Sequence, residues 1–243
     1  MRQKIKHGVK KLYLAIAVLS AELFLVFAIF FISLAFLVVI IRQIFFNKEN
    51  VFDDRVFGYL SRYVTPDNTA IMQAFSFFGS HLFLIPACLV LVIFLFFKYK
   101  NKWYGIKALT ITISNLLLMF GLKFFFNRPR PLIPLLKEVP GLSFPSGHAF
   151  MSLTFFGLII YFIHRKVANK WLKWTAIVFL MLMIFLVGLS RVYLRVHYAS
   201  DVIAGFCFGI ISFIILLSLL RQIEKFNARK MRAELDAIQT EFE

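Results

Sequence analysis

Two histidines and one aspartate lie in short polar segments of a chain that is otherwise strongly apolar. His197 precedes Asp201 by four residues, and this spacing places both side chains on one face of a helix. The carboxylate can then accept the Nδ1 proton of the imidazole and leave Nε2 as a nucleophile. His148 is a candidate general acid for a leaving oxygen, and then a general base for water. These groups predict covalent catalysis through a histidine.

Basic residues near these groups suit the oxygens of a phosphate. Lys123 and Arg130 lie in the segment Lys-Phe-Phe-Phe-Asn-Arg-Pro-Arg-Pro, and Arg191 lies six residues before His197. Lysine and arginine donate charge-assisted hydrogen bonds, and each arginine can bind two oxygens at once. The pattern therefore indicates phosphoryl transfer.

Ser146 and Gly147 stand directly before His148, at the predicted start of a helix. Free backbone N–H groups and the helix dipole attract anions at such a position. Phosphoryl transfer depends on neutralising charge on the transferring oxygens, which these donors and the cations can supply. The segments lack the carboxylate cluster that magnesium prefers, so we expect neither a metal nor another cofactor. The predicted intermediate is a phosphohistidine on His197, cleaved by water.

The composition places these residues in a membrane protein. Of 243 residues, 60% are hydrophobic and 16% are charged, and phenylalanine alone contributes 32. Soluble domains have about 45–50% apolar and about 25% charged residues, so this chain has too little polar surface for water. Cys88 and Cys207 lie within apolar runs, and we interpret them as buried thiols rather than as a disulfide or a zinc site.

Six stretches are long and apolar enough to cross a bilayer, which requires about 20 residues per helix. The sequence therefore predicts an all-α polytopic membrane protein with six transmembrane helices and a single domain over residues 1–243. Residues 123–201 hold the motif core, and residues 221–243 are predicted to form a cytoplasmic amphipathic tail. The predicted spans are 12–41, 80–97, 105–126, 147–164, 174–189 and 198–220.

The distribution of basic residues predicts the orientation. The net charge is +16, and 18 of the 28 basic residues lie in the N-terminal tail, the loops after the second and fourth spans, and the C-terminal tail. By the positive-inside rule, these segments and both termini face the cytoplasm. The charge then needs no nucleic acid to explain it, and the three motif segments lie on the extracytoplasmic side of the cell membrane.

Most of the remaining basic residues cluster near the outer helix ends. The acids of the first outer loop balance that loop's own basic residues, whereas only Glu138 and Asp201 face the others. Unpaired cations at a membrane face are unfavourable unless an anion completes them, which predicts an anionic substrate. Arg128 and Arg195 are interpreted as secondary headgroup contacts. The clustered residues are Lys123, Arg128, Arg130, Lys137, Arg191 and Arg195.

The three motif segments resemble the type-2 phosphatidic acid phosphatase superfamily. Its signatures Lys-x6-Arg-Pro, Pro-Ser-Gly-His and Ser-Arg-x5-His-x3-Asp all occur here, in order, within about a third of the chain. The resemblance implies that His197 is the nucleophile, Asp201 its partner and His148 the acid and base. The superfamily also contains soluble haloperoxidases and lipid phosphotransferases, so the motifs leave the substrate open. The phosphate ligands that the resemblance implies are Lys123, Arg130, Ser146, Gly147 and Arg191.

Several residues outside the motifs have structural interpretations. Glu22 is expected to make a hydrogen bond within the bundle, and His81 to lie at the membrane interface. Gly205 and Gly209 form a small-xxx-small pair that favours helix packing. Residues 51–63 have apolar positions at helical spacing and are predicted to form an interfacial helix along the outer surface.

A membrane lipid phosphate is the predicted substrate class, because the pocket lies at headgroup level where a lipid can enter sideways between helix ends. The apolar loop at 132–144 is too short to form a lid over a large soluble substrate. Undecaprenyl pyrophosphate, phosphatidylglycerophosphate and phosphatidate are the candidates, and the outward-facing site favours the first. The alternatives are a lipid phosphotransferase, a catalytically silent lipid-binding protein and a transporter, which should carry ionisable residues in the centres of its spans. The sequence leaves the oligomeric state open.

Overall fold

The computed structural model describes residues 23–48, 50–131, 134–135 and 140–241, with side chains described as far as 236. These residues form helices joined by turns, and no strand occurs among them. Glu22, the basic N-terminal tail, residues 12–22 of the first predicted span, Lys137 and Glu138 lie outside the described residues. The helices are α1 (Leu23–Phe46), α2 (Val51–Leu60), α3 (Pro66–Phe77), α4 (His81–Lys98), α5 (Trp103–Phe126), α6 (Gly147–Lys166), α7 (Lys170–Tyr193) and α8 (Ala199–Glu241).

The prediction of six spans is confirmed, because the structure has six helical segments long and apolar enough to cross a membrane. Helix α7 exceeds the predicted range of 174–189 at both ends, and α8 continues without a break into the predicted tail. Charged residues at the ends of a span lower the local hydropathy, so the predicted span stops before them. The aliphatic part of such a side chain can still lie along the helix while its charged group reaches the lipid headgroups. Helix α3 was not predicted, because its sequence mixes polar and apolar residues.

The surface of the bundle is apolar along the spans. Phe24, Phe97 and Phe124 are 75%, 87% and 85% exposed, and many other large apolar side chains are exposed as well. Soluble monomers rarely expose contiguous apolar patches larger than a few hundred Å². Lipid chains are as apolar as these side chains, so a bilayer is the solvent that suits this surface.

Helix α6 lies at the centre of the bundle and contacts α4, α5, α7 and α8. A Cβ atom built on Gly205 of α8 would lie 2.8 Å from the carbonyl oxygen of Ser146, so only glycine allows this approach. Gly209 lies further along α8 against Leu153 of α6. These contacts agree with the packing role predicted for the two glycines. They hold the N-terminal ends of α6 and α8 side by side.

Helix α5 ends within the first motif. Asn127 terminates it with a φ of 45°, in the left-handed region that asparagine tolerates. Its N–H donates to the carbonyl of Lys123 at 3.0 Å, and Pro129 and Pro131 prevent the helix from resuming. Lys123 therefore stays on the last turn of α5, while Arg130 lies in the irregular segment beyond it.

The predicted surface helix at 51–63 exists as α2 followed by a 3₁₀ turn at Ser61–Tyr63. It is more than an interfacial helix, because Asp53 is only 2% exposed and the apolar side of α2 packs on α7 and α8. Helix α2 therefore covers the end of the bundle at which α8 begins. The apolar contact consists of Val56, Phe57, Leu60, Val192, Ala199 and Val202.

Candidate active site

The structure brings the three motif segments together at one end of the bundle. His148, on the first turn of α6, lies within electrostatic range of Lys123, Arg130, Arg191 and His197. Lys123, His148 and Arg191 lie at the ends of α5, α6 and α7, whereas Arg130 follows α5 and His197 precedes α8, so their convergence depends on the packing of these four helices. The cluster has the composition of an anion-binding site that also contains two imidazoles.

The three motif cations in this cluster are held by neutral acceptors. No carboxylate of the described residues forms an ion pair with any of them. Their positive charge is therefore available to a ligand, and a buried or half-buried cation without a counter-ion is unfavourable unless an anion binds. The contacts are Lys123 Nζ to the Leu142 carbonyl at 2.7 Å, Arg130 Nε to the Gly141 carbonyl at 3.1 Å, Arg130 Nη1 to the Val196 carbonyl at 2.9 Å, and Arg191 Nη1 to the Ser76 hydroxyl.

Two buried donors in the cluster have no hydrogen-bond partner among the described residues. They are the hydroxyl of Ser146 and Nε of Arg191. Most buried polar groups in proteins are paired, so unpaired ones call for an explanation such as a ligand. The backbone N–H of Ser146 is already used, since it donates to the carbonyl of Asp201 at 3.0 Å. An anion at this position can therefore accept hydrogen bonds from the Ser146 hydroxyl and from the N–H groups of the first turn of α6, from Gly147 onward.

His197 and Asp201 lie close together, as their spacing predicts, but α8 begins at Ala199, so the prediction that one helix carries both side chains is wrong. Nδ1 of His197 is 3.7 Å from Oδ2 of Asp201, which is longer than a hydrogen bond. That oxygen instead accepts hydrogen bonds from the hydroxyl of Ser143 and the amide of Tyr198. The Ser143 hydroxyl is also 3.4 Å from Nδ1 of His197, so it lies beside both groups. Nε2 is the ring nitrogen on the side away from this network.

We expect His197 to stay neutral, and therefore nucleophilic, at and above about pH 5. Burial lowers the pKa of its imidazole from 6.5 to about 4, although the neighbouring Asp201 carboxylate partly opposes this shift. The unfolded chain binds the proton at higher pH, so the contribution of His197 to stability is complete above 6.5 and is lost as the pH falls toward about 4. An NMR titration of ¹⁵N-labelled histidines, assigned with His197→Gln, measures the midpoint. A midpoint near 6.5 would contradict the prediction.

Sequence reasoning missed the turn between α3 and α4. Ser76, near the end of α3, accepts the hydrogen bond from Nη1 of Arg191. A Cβ atom on Gly79 would lie 3.1 Å from the ring of His148 and 2.4 Å from the side chain of Val187, so a side chain at 79 would disturb the packing of the imidazole. The segment has no local signal for these roles, because a serine and a glycine before an apolar run are typical of any helix boundary.

Arg128 is buried, so the prediction that it makes a secondary headgroup contact is wrong. It is 7% exposed, and its guanidinium pairs with Asp53 at 3.0 Å and with Asp201 at 2.6 Å. The expectation that the first outer loop balances its own charges is also wrong, since Asp53 pairs across 75 residues. Arg195 donates to the hydroxyl of Ser61 at 2.8 Å, which places it beside the 3₁₀ turn that follows α2.

Comparison with known proteins identifies relatives in sequence. The family model of the PAP2 superfamily matches residues 103–225. Phosphatidylglycerophosphatase B of Bacillus subtilis (strain 168) is 31% identical over 161 residues, which are 65% of this chain and 78% of that protein. The bacitracin transport permease protein BcrC of Bacillus licheniformis is 36% identical over 70 residues, which are 29% of this chain and 30% of that protein.

Solved structures that are similar to this one include the following two. A crystal structure of a transmembrane PAP2 type phosphatidylglycerolphosphate phosphatase from Bacillus subtilis gives a TM-score of 0.71 at 26% identity, covering 79% of this chain and 95% of that chain. The crystal structure of Aquifex aeolicus LpxE gives a TM-score of 0.52 at 30% identity, covering 68% of this chain and 93% of that chain. Both similarities agree with the all-helical membrane architecture described above.

Proposed function

Because this chain belongs to the PAP2 superfamily and is a phosphoric ester hydrolase that acts on membrane lipids, we propose that its substrate is phosphatidylglycerophosphate. The Bacillus subtilis relatives matched in sequence and in structure are named as phosphatases of this lipid. The names of these relatives favour phosphatidylglycerophosphate over undecaprenyl pyrophosphate, which the predicted outward-facing site favoured. The observation that supports phosphate binding is the set of three cations with neutral acceptors beside two buried donors that have no partner among the described residues.

In the proposed first step, Nε2 of His197 attacks phosphorus, and the bond between phosphorus and the lipid oxygen breaks. A P–N bond forms, and His148 donates a proton to the leaving oxygen, so that this oxygen departs on the lipid as a hydroxyl group. Lys123, Arg130 and Arg191 neutralise charge on the transferring oxygens. Each such donor is worth about 2.7–4 kcal/mol of transition-state stabilisation in a dry site.

In the proposed second step, water attacks the phosphohistidine and the P–N bond breaks. His148, which lost its proton in the first step, accepts one from the attacking water, and inorganic phosphate leaves. The Ser146 hydroxyl and the N–H of Gly147 bind a phosphate oxygen in both steps. The cycle uses neither a metal nor a cofactor, because the cations and N–H donors supply the positive charge that the transferring group requires.

The function can be tested by measuring phosphate release from purified protein in detergent with a chelator present. Phosphatidylglycerophosphate, undecaprenyl pyrophosphate and phosphatidate are presented separately, and we expect the first to react fastest and chelation to have no effect. Faster release from either other lipid would reject the proposed substrate. Activity lost on chelation and restored by Mg²⁺ would reject the metal-free cycle. Label that appears in an acceptor lipid instead of free phosphate would identify a phosphotransferase.

The proposed site lies on the extracytoplasmic side of the cell membrane, with both termini in the cytoplasm. The basic loops at the other end of the bundle support this orientation through the positive-inside rule. With Cys88 and Cys207 replaced by alanine, single cysteines introduced as Arg62→Cys and Lys100→Cys report the two sides. In intact cells we expect a membrane-impermeant maleimide to label the first and spare the second. The reverse pattern would place the site in the cytoplasm.

A further inference from the structure

Helix α2 contributes a buried carboxylate to the network around Asp201. Asp53 is 2% exposed, whereas the adjacent Asp54 is exposed. Oδ1 of Asp53 accepts from the amide of Ser200 at 2.9 Å, and Oδ2 accepts from the Ser200 hydroxyl at 2.6 Å and from Arg128 at 3.0 Å. Burying a carboxylate is costly unless it is paired and hydrogen-bonded, and these contacts supply both the ion pair and the hydrogen bonds.

Arg128 links this carboxylate to the partner of the proposed nucleophile. Its Nη1 donates to Oδ1 of Asp201 at 2.6 Å and its Nη2 donates to Asp53, while its guanidinium carbon lies 4.0 Å from the centre of the Tyr198 ring. Both terminal nitrogens and one face are occupied by the protein, so this guanidinium is not available to a phosphate. Arg130, two residues further on, is less buried and donates only to backbone carbonyls.

We propose that Asp53 and Arg128 are positioning residues for the nucleophile, an inference that rests on the proposed function. Arg128 holds one oxygen of Asp201, which fixes the other oxygen 3.7 Å from Nδ1 of His197. Without the guanidinium, Asp53 and Asp201 would be two buried carboxylates with no cation between them, and their repulsion would turn Asp201 away from the imidazole. Asp53 in turn holds Arg128, so helix α2 belongs to the active-site framework.

The test compares Asp53→Asn and Arg128→Gln with two controls, Asp54→Asn and Arg130→Gln, in the full-length protein. For Arg128→Gln we expect kcat to fall about 10²-fold, the effect of misplacing a reacting group by about 1 Å, while inhibition by inorganic phosphate is unchanged. Asp53→Asn should also lower kcat, but by a smaller factor, and Asp54→Asn should keep the wild-type kcat. Arg130→Gln should instead raise KM and weaken inhibition by phosphate, because that side chain is a proposed phosphate ligand.

A double variant, Asp53→Asn with Arg128→Gln, should be no slower than Arg128→Gln alone, because the two residues act through one contact on Asp201. Phosphate inhibition weakened in Arg128→Gln as much as in Arg130→Gln would overturn the proposal, and so would wild-type kcat in both single variants. Thermal unfolding and size-exclusion chromatography check folding. If both Arg128→Gln and Asp53→Asn fail to fold, the network serves folding and the proposal is wrong. A wild-type enzyme that releases no phosphate would refute the proposed function instead.

Discussion

Replacing His197 by alanine is expected to lower phosphate release by at least about 10⁴-fold, because the variant lacks the atom that bonds to phosphorus. Residual hydrolysis would come from the cations and N–H donors, which still bind the phosphate and stabilise its developing charge. KM should change little, since the imidazole is not among the proposed phosphate ligands. The rate is measured as phosphate released from phosphatidylglycerophosphate in detergent. In parallel, radiolabelled phosphohistidine is trapped at alkaline pH, because a P–N bond is labile in acid.

His164→Ala is the matched control for this experiment. His164 is an exposed histidine in the last turn of α6, at the opposite end of that helix from His148. Its ring centre lies 6.5 Å from that of Trp174, so the variant removes an aromatic contact and no proposed catalytic group. It should keep the wild-type rate. Equal rates for His197→Ala and the wild type would remove the nucleophile assignment, and label retained by His197→Ala would point to His148 as the acceptor.

The parts of the candidate site that depend on short spacings could be predicted from the sequence. His197 and Asp201 are four residues apart and lie close together at the start of α8, although His197 precedes the helix. A Pro-Ser-Gly segment before an apolar run predicts the start of α6 at Gly147, where the structure has it. The six spans could also be predicted, because a helix needs about 20 mostly apolar residues to cross the hydrocarbon core of a bilayer, and runs of this length are easily recognised in a sequence. Counting antiparallel spans then brings the three motifs to one end of the bundle.

Contacts between distant segments could not be predicted in this way. Asp53 lies 75 residues from Arg128, and Ser76 lies 115 residues from Arg191. The acids of the first outer loop have basic neighbours in sequence, so local pairing was the simpler assumption. Tertiary packing decides otherwise, because α2 turns one of its two adjacent acids toward α8 and leaves the other exposed. Sequence patterns describe which face of a helix is apolar, but not which neighbour a buried polar group meets.

Replacing Asp201 by asparagine is expected to be nearly as damaging, with kcat lower by about 10⁴-fold, as when asparagine replaces the aspartate that orients a catalytic histidine. The amide has the same shape but no charge, so it no longer stabilises positive charge on His197 as the P–N bond forms. Asparagine also keeps only one acceptor oxygen, so it cannot accept both the hydrogen bond from Arg128 and those that Ser143 and the Tyr198 amide donate. Inhibition by inorganic phosphate should be unchanged, because the three motif cations remain. The measurement is kcat and KM for phosphatidylglycerophosphate.

In Asp201→Asn, a loss of folding stability must be distinguished from a loss of His197 orientation, because Asp201 is fully buried and pairs with Arg128. Breaking a buried ion pair costs about 3–5 kcal/mol when the remaining charge is left alone, but Arg128 keeps Asp53, so we expect a smaller loss. Thermal unfolding in detergent measures that loss, and Asp67→Asn, which changes an exposed acid in the first turn of α3, is the control. Wild-type kcat in Asp201→Asn would contradict an orienting role. If the variant folds and binds phosphate normally but turns over slowly, it has lost the orientation of His197 and the stabilisation of the positive charge that develops on that imidazole.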